Sequence, residues 1–177
     1  MGARRNTAFA LTALLSFVLA GVSAKADAQA AGSPEIDFAG FMQAGEDVMA
    51  LRATRLVSLA EFNEMAREAD TIVLDSRSAE AFAMGHIDGA ININFADFTD
   101  EKLADLIAHH GTRILIYCNN NFADDIAPVM LKRAPLALNI PTFINLHGYG
   151  YTNVYELGEL VSTSDPDVNW VSAPQMP

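Results

Sequence analysis

The run Ile114-Leu115-Ile116-Tyr117 leads straight into the single cysteine of the chain, Cys118, and then into Asn119-Asn120-Asn121. Four apolar or aromatic residues with no polar interruption fit a strand buried on both faces. The asparagines, with Asp124 and Asp125 behind them, favour turns, so the strand should stop at Cys118. Open α/β sheets bind their ligands at the carboxyl ends of the strands. The thiol therefore falls where such a sheet would hold a site.

The flanking chain alternates between short strands and short helices. Arg55-Leu56-Val57 predicts a strand. Ser58 stands three residues before Glu61, a capping box opening a helix to about Glu68, with Leu59, Phe62, Met65 and Ala66 on one face. Thr71 to Leu74 predicts a buried strand ending at Asp75-Ser76-Arg77, and Ser78 caps a short helix through Phe82. Gly85 to Ala90 predicts a turn into the strand Ile91-Asn92-Ile93. Thr99 opens a helix bearing Leu103, Leu106 and Ile107, which Gly111 ends, with His109 and His110 in its last turn.

After Cys118, Asp124 or Asp125 is expected to cap a helix containing Ile126, Val129, Met130 and Leu131. A second helix is expected from Leu136 to about His147, entered at Pro135 and kinked at Pro141. Asn153 to Leu157 reads as the last strand, followed by an acidic tail tied down by Trp170. Glu35 to Leu51 reads as a helical extension, broken or weakened at Gly40 and Gly45. Strands alternating with helices predict an α/β domain with a mainly parallel sheet.

The N-terminus reads as a signal peptide spanning residues 1–30. Arg4 and Arg5 precede an uncharged apolar stretch, Phe9 to Val22, and small residues then offer cleavage sites ending at Ala24, Ala26 or Ala30. Val22, and not cysteine, follows Leu19-Ala20-Gly21, which excludes a lipid anchor on that site. The expected divisions are a cleaved leader (1–30), a helical extension (31–54), the α/β domain (55–163) and a tail (164–177). The expected location is periplasmic or secreted, with no membrane anchor after cleavage.

Loss of Arg4, Arg5, Lys25 and Asp27 takes the net charge from −11 to −13. So acidic a surface argues against a nucleic-acid partner. A lone cysteine in an exported chain cannot close an internal disulfide. It is buried, reactive or used between molecules.

Three stretches resemble the rhodanese family. Ile72-Val73-Leu74-Asp75-Ser76-Arg77, with Glu80, Phe82 and Gly85-His86-Ile87-Asp88-Gly89-Ala90-Ile91-Asn92-Ile93, looks like its first signature. Ile114 to Cys118 looks like the strand that delivers its cysteine, and Gly150 to Leu157 like its final strand. The resemblance implies an open parallel sheet of about five strands with helices on both faces, here with an N-terminal helical extension. It implies that Cys118 takes sulfane sulfur from a donor such as thiosulfate, becomes a persulfide and passes the sulfur to a thiol or cyanide. It implies no cofactor and no metal. The implied partners are a small sulfur-donor anion and a thiol acceptor, or a periplasmic protein.

The chain departs from that family just after the cysteine. The usual loop is short and carries an arginine at the position held here by Ala123, with Asp124 and Asp125 following. The gap to the final strand is also longer, by a segment running approximately from Asn119 to Arg133. A cysteine phosphatase of similar fold would need an arginine where Asp124 stands. The main chain of Asn119, Asn120, Asn121 and Phe122 is the expected substrate cradle, since backbone N–H groups opening into a helix hold anions and lower a thiol pKa. Asp75, Arg77 and His86 are expected to support the site structurally, and Lys132 and Arg133 to fold back in place of the missing charge. The alternative reading is a non-catalytic or weakly catalytic rhodanese-like binding module.

Overall fold

Period-two alternation in the strand before Cys118 sorts its side chains onto two separate cores. A computed structural model describes residues 35–172; the expected leader lies outside the described residues. Along the chain run α1 (Phe38–Ala53), β1 (Leu56–Val57), α2 (Leu59–Ala66), β2 (Thr71–Asp75), α3 (Ala79–Met84), β3 (Gly85–Ile87) and β4 (Ile91–Asn92). Then come α4 (Asp100–Leu106), β5 (Arg113–Tyr117), α5 (Asn139–Gly148), β6 (Val154–Leu157) and β7 (Trp170–Ser172). Five strands form one sheet in the order β1-β6-β5-β2-β4, every pairing parallel. The expected open parallel sheet with helices on both faces is thus present, preceded by the helix α1.

β5 lies at the centre. Ile114 and Ile116 point into a core with Leu103, Ile107, Phe143 and Leu146. Leu115 and Tyr117 point into the other, with Phe62, Phe122, Val129 and Val168. Full burial of each such aliphatic or phenyl side chain is worth about 1.5–3 kcal/mol on either face. The register is specified by Tyr117, whose hydroxyl donates to Asp75 at 2.6 Å and accepts from Ile87 N at 3.2 Å. The Ser58–Glu61 capping box forms as expected and opens α2.

Several boundaries differ from the expectation. α1 runs unbroken through Gly40 and Gly45. Asp37 caps it by accepting from the Gly40 N–H at 2.8 Å. At Gly45 an added Cβ would come within 3.3 Å of Ile144 on α5, so the glycine permits close helix packing there and does not end the helix. α4 stops at Leu106, because Ile107 turns extended to bury itself in the core. His109 and His110 therefore sit beyond the helix, His110 edge-on to Tyr151.

The first half of the expected turn at Gly85–Ala90 is the strand β3. It pairs antiparallel with β7, so Val154–Leu157 is not the last strand. A Cβ at Gly85 would lie 2.7 Å from the Trp170 indole, which is why the ring can seat there.

The helix expected around Ile126–Leu131 is absent. The two aspartates hold turns instead of capping it. Asp124 accepts from Ser162 Oγ, Thr163 N and Thr163 Oγ1, all at 3.0 Å, and Asp125 accepts from Leu131 N at 2.8 Å. Pro128 lacks an N–H and interrupts the helical ladder. The next helix begins only at Asn139. Pro141, in its first turn, costs it little.

Candidate functional site

Cys118 directly follows β5 and is almost fully buried, at 1% exposure. Its carbonyl accepts from Asn121 N at 3.0 Å, and Asn119 O accepts from Phe122 N at 3.1 Å, which winds residues 119–121 into one tight 3-10 turn. Those two N–H groups are therefore unavailable to a ligand. The Phe122 side chain belongs to the core, packed edge-on against Tyr117 and Trp170. Of the expected cradle, the Asn120 N–H still lowers the thiol pKa. Asn139 and Leu138, at the N-terminus of α5, contribute the others.

The asparagine side chains fasten the inserted segment. Asn119 Nδ2 donates to Met130 O at 2.9 Å, and Asn120 Nδ2 to Lys132 O at 2.7 Å. Asn121 Nδ2 donates to Leu157 O at 2.7 Å, and its Oδ1 accepts from Cys118 N at 2.9 Å. The three residues thus lock the cysteine, the insertion and β6 together.

The charge at the site comes from elsewhere. A cavity of about 170 Å³ opens over Cys118, lined among others by Arg52, Asn120, Asn139, Ile140 and Glu156. Glu156 is buried in β6. Arg52, from the last turn of α1, grips it with both Nε and Nη2 at 2.7 Å. Asn139 Nδ2 adds a bond to Glu156 Oε1 at 3.1 Å and one to Asn121 Oδ1 at 3.2 Å. Asn139 Oδ1 is buried without a partner among the described residues. Burial pushes the Cys118 thiol above its ordinary pKa, and the Glu156 charge adds to this; the Asn139, Asn120 and Leu138 N–H groups pull the other way. The resting group at neutral pH is accordingly the thiol.

Sequence reasoning missed Arg52, Asn139 and Glu156. Glu156 carried a signal: a carboxylate inside a strand of buried residues demands a partner. Nothing in the spacing identified Arg52 as that partner, 104 residues away.

Asp75 and Arg77 form a second, closed pair. Arg77 Nη2 lies 2.5 Å from Asp75 Oδ2, the guanidinium also donates to Gly85 O at 2.8 Å and Pro128 O at 3.3 Å, and Tyr117 Oη donates to Asp75 at 2.6 Å. Burial opposes the Arg77 charge, but Asp75 outweighs it and the pKa is raised. Tyr117 is raised as well, by burial first and by Asp75 next. His86 lies on β3, bonded through Nδ1 to Phe82 O at 2.8 Å with its ring stacked on Phe82. Lys132 and Arg133 do not supply the missing charge. Both are exposed and neither lines the cavity; the Lys132 main chain is held by Asn120.

The parallel sheet, with its cysteine at the carboxyl end of the central strand, agrees with the comparison to known families. The rhodanese-like domain family matches residues 58–158. The chain belongs to that family. Among solved structures it is similar to the BH2092 protein from Bacillus halodurans, at 20% identity and TM-score 0.45, over 66% of this chain and 74% of that one. It is also similar to a thiosulfate sulfurtransferase from Pseudomonas aeruginosa, at 21% identity and TM-score 0.44, over 70% of this chain and 21% of that one. No curated protein matches. The rhodanese-like segment contains Cys118, Asn139 and Glu156, whereas Arg52 precedes it and Trp170 follows it.

Proposed function

We propose that this rhodanese-like chain is an exported sulfurtransferase-type protein that carries sulfane sulfur on Cys118. The observation that carries the reading is the thiol at the carboxyl end of β5, lining a cavity with Asn120 and Asn139, where the Asn120, Leu138 and Asn139 N–H groups oppose the rise in its pKa. Those donors stabilise an anion on sulfur as it develops. With a hydropersulfide donor, Cys118 Sγ attacks the outer donor sulfur, the donor S–S bond breaks, and the thiol proton leaves with the departing thiolate. The products are Cys118 persulfide and a free thiol, and attack by a second thiol on the persulfide reverses the balance onto the acceptor. With thiosulfate the leaving group is sulfite.

Incubation with thiosulfate or a low-molecular-weight hydropersulfide, followed by intact mass, should show one added sulfur, lost on reduction and absent in Cys118→Ser. No adduct with either donor, or one that persists in the serine variant, refutes the reading. Export is tested separately by fractionating cells that express the full chain: recovery only in the cytoplasm, with the leader intact, refutes it.

A second reading, a binding module with little catalysis, is favoured by the raised thiol and the acidic Glu156 beside it. It expects a periplasmic partner captured through residues 119–147 equally well by the wild type and by Cys118→Ser.

A further inference from the structure

The cavity over Cys118 does not stand alone. A larger cavity of about 490 Å³ lies between α1 and α5, lined by Met42, Val48, Met49 and Phe143 among others. Arg52 and Ile140 line both. The two spaces thus adjoin at those two side chains. The chemistry changes from one space to the next, from a thiol beside the Asn120, Asn121 and Asn139 amides, past a guanidinium, to a mainly apolar space whose lining carries the carboxylate of Glu46. Arg52 uses Nε and Nη2 to hold Glu156, while Nη1 has no hydrogen-bond partner among the described residues. Asn139 Oδ1, buried and unpartnered at the thiol end, offers an acceptor for a donor such as an S–H.

Resting on the sulfur-transfer reading above, we infer that the sulfur donor or acceptor is an organic thiol or hydropersulfide with an apolar body and an acidic group. Its sulfur meets Cys118, its acid meets the free edge of Arg52, and its apolar part fills the α1–α5 chamber. Inorganic thiosulfate would use only the smaller space and would bring two negative charges beside Glu156. Arg52 is then a specificity-determining residue contributed from outside the rhodanese-like segment. The mainly apolar lining suits such a tail, and among the described residues Arg52 is the one cation lining either space, set between Glu46 and Glu156.

The test uses methanethiosulfonates, which place a chosen group on Cys118 as a mixed disulfide while methanesulfinate leaves. Rates for methyl, hexyl and 2-sulfonatoethyl reagents are followed by intact mass on the full chain and normalised to a free cysteine peptide. The hexyl-to-methyl ratio is expected at about tenfold or more, equivalent to about 1.4 kcal/mol of selective tail binding. Met49→Arg, at an exposed rim position, should bring it to near one. The sulfonatoethyl-to-methyl ratio should fall in Arg52→Gln, hold in Arg52→Lys and rise in Glu156→Gln.

An unfolded chain would give the free-peptide ratio of one, so each variant is first shown to keep the wild-type far-UV circular dichroism and cooperative urea transition. The rise required of Glu156→Gln cannot be imitated by unfolding. Equal hexyl and methyl rates in the wild type, or ratios unmoved by these substitutions, overturn the inference even if Cys118 takes up sulfur. Conversely, if the ratios behave as stated but no donor loads sulfur, the transfer reading fails and the assignment of the two cavities stands.

Discussion

Two carboxylate–arginine pairs lie on either side of β5, and they differ in how each arginine arrives. Asp75 is matched by Arg77, two residues on, and the guanidinium is closed in by Gly85, Pro128, Tyr117 and Trp170. Glu156 is matched by Arg52, brought across from α1, with its outer edge open to a cavity. The first pair is dry, local and saturated, which makes it a fastener for the loops after β2 and β5. The second is long-range and only half used, which leaves it able to meet a ligand. The same two charges become structure or site according to how many donors remain.

The largest effect that would sharpen this contrast is expected at the closed pair. Arg77→Ala strands Asp75 in the core and should destabilise the fold by about 3–5 kcal/mol in urea denaturation. A loss under about 1 kcal/mol would break the distinction between fastener and site. Next is Gly85→Ala, where the new methyl meets the indole at its 2.7 Å approach. It should cost about 1–3 kcal/mol and shift the emission of Trp170, the only tryptophan of the chain.

Glu156→Gln acts on the open pair and should be read at the thiol. Glu156 raises the Cys118 pKa, so neutralising it must lower that pKa. The pH midpoint of iodoacetamide alkylation should move down, giving a faster rate at fixed pH below it; an upward shift would contradict the electrostatics described. A related consequence follows from linkage. The folded state holds the thiol proton more tightly than the unfolded chain does. The corresponding stability is therefore full below the unfolded cysteine value of roughly 8.5 and is lost as pH rises through the folded pKa. Cys118→Ser should remove that decline. The smallest effect belongs to Lys132→Ala and Arg133→Ala, exposed and away from both pairs. Each should leave stability within about 0.5 kcal/mol and the alkylation profile unchanged.

Most of the frame could be read from local signals. The uninterrupted apolar run at Ile114–Tyr117 marked the doubly buried central strand, and Ser58, Ser78 and Thr99 marked helix starts that form as expected. Local signals misled where a distant partner outbid them. Asp124 and Asp125 have the chemistry of helix caps but spend it on Thr163, Ser162 and Leu131. Gly85 looks like turn punctuation but makes room for Trp170. At the site, spacing identified the thiol because strand and cysteine are adjacent in the chain. The countercharge stayed hidden because pairing Arg52 with Glu156 requires α1 to be docked on α5, which no local pattern encodes.

Gly45 lets α1 approach Ile144 on α5, and the same helix carries Arg52 to the thiol. A fragment trimmed to the family boundaries at 58 and 158 would retain the nucleophile, its amide donors and Glu156, but with the carboxylate unopposed beside the sulfur. Such a fragment is expected to show a higher thiol pKa than the full chain. Assays of its chemistry should therefore keep the helix that precedes the domain.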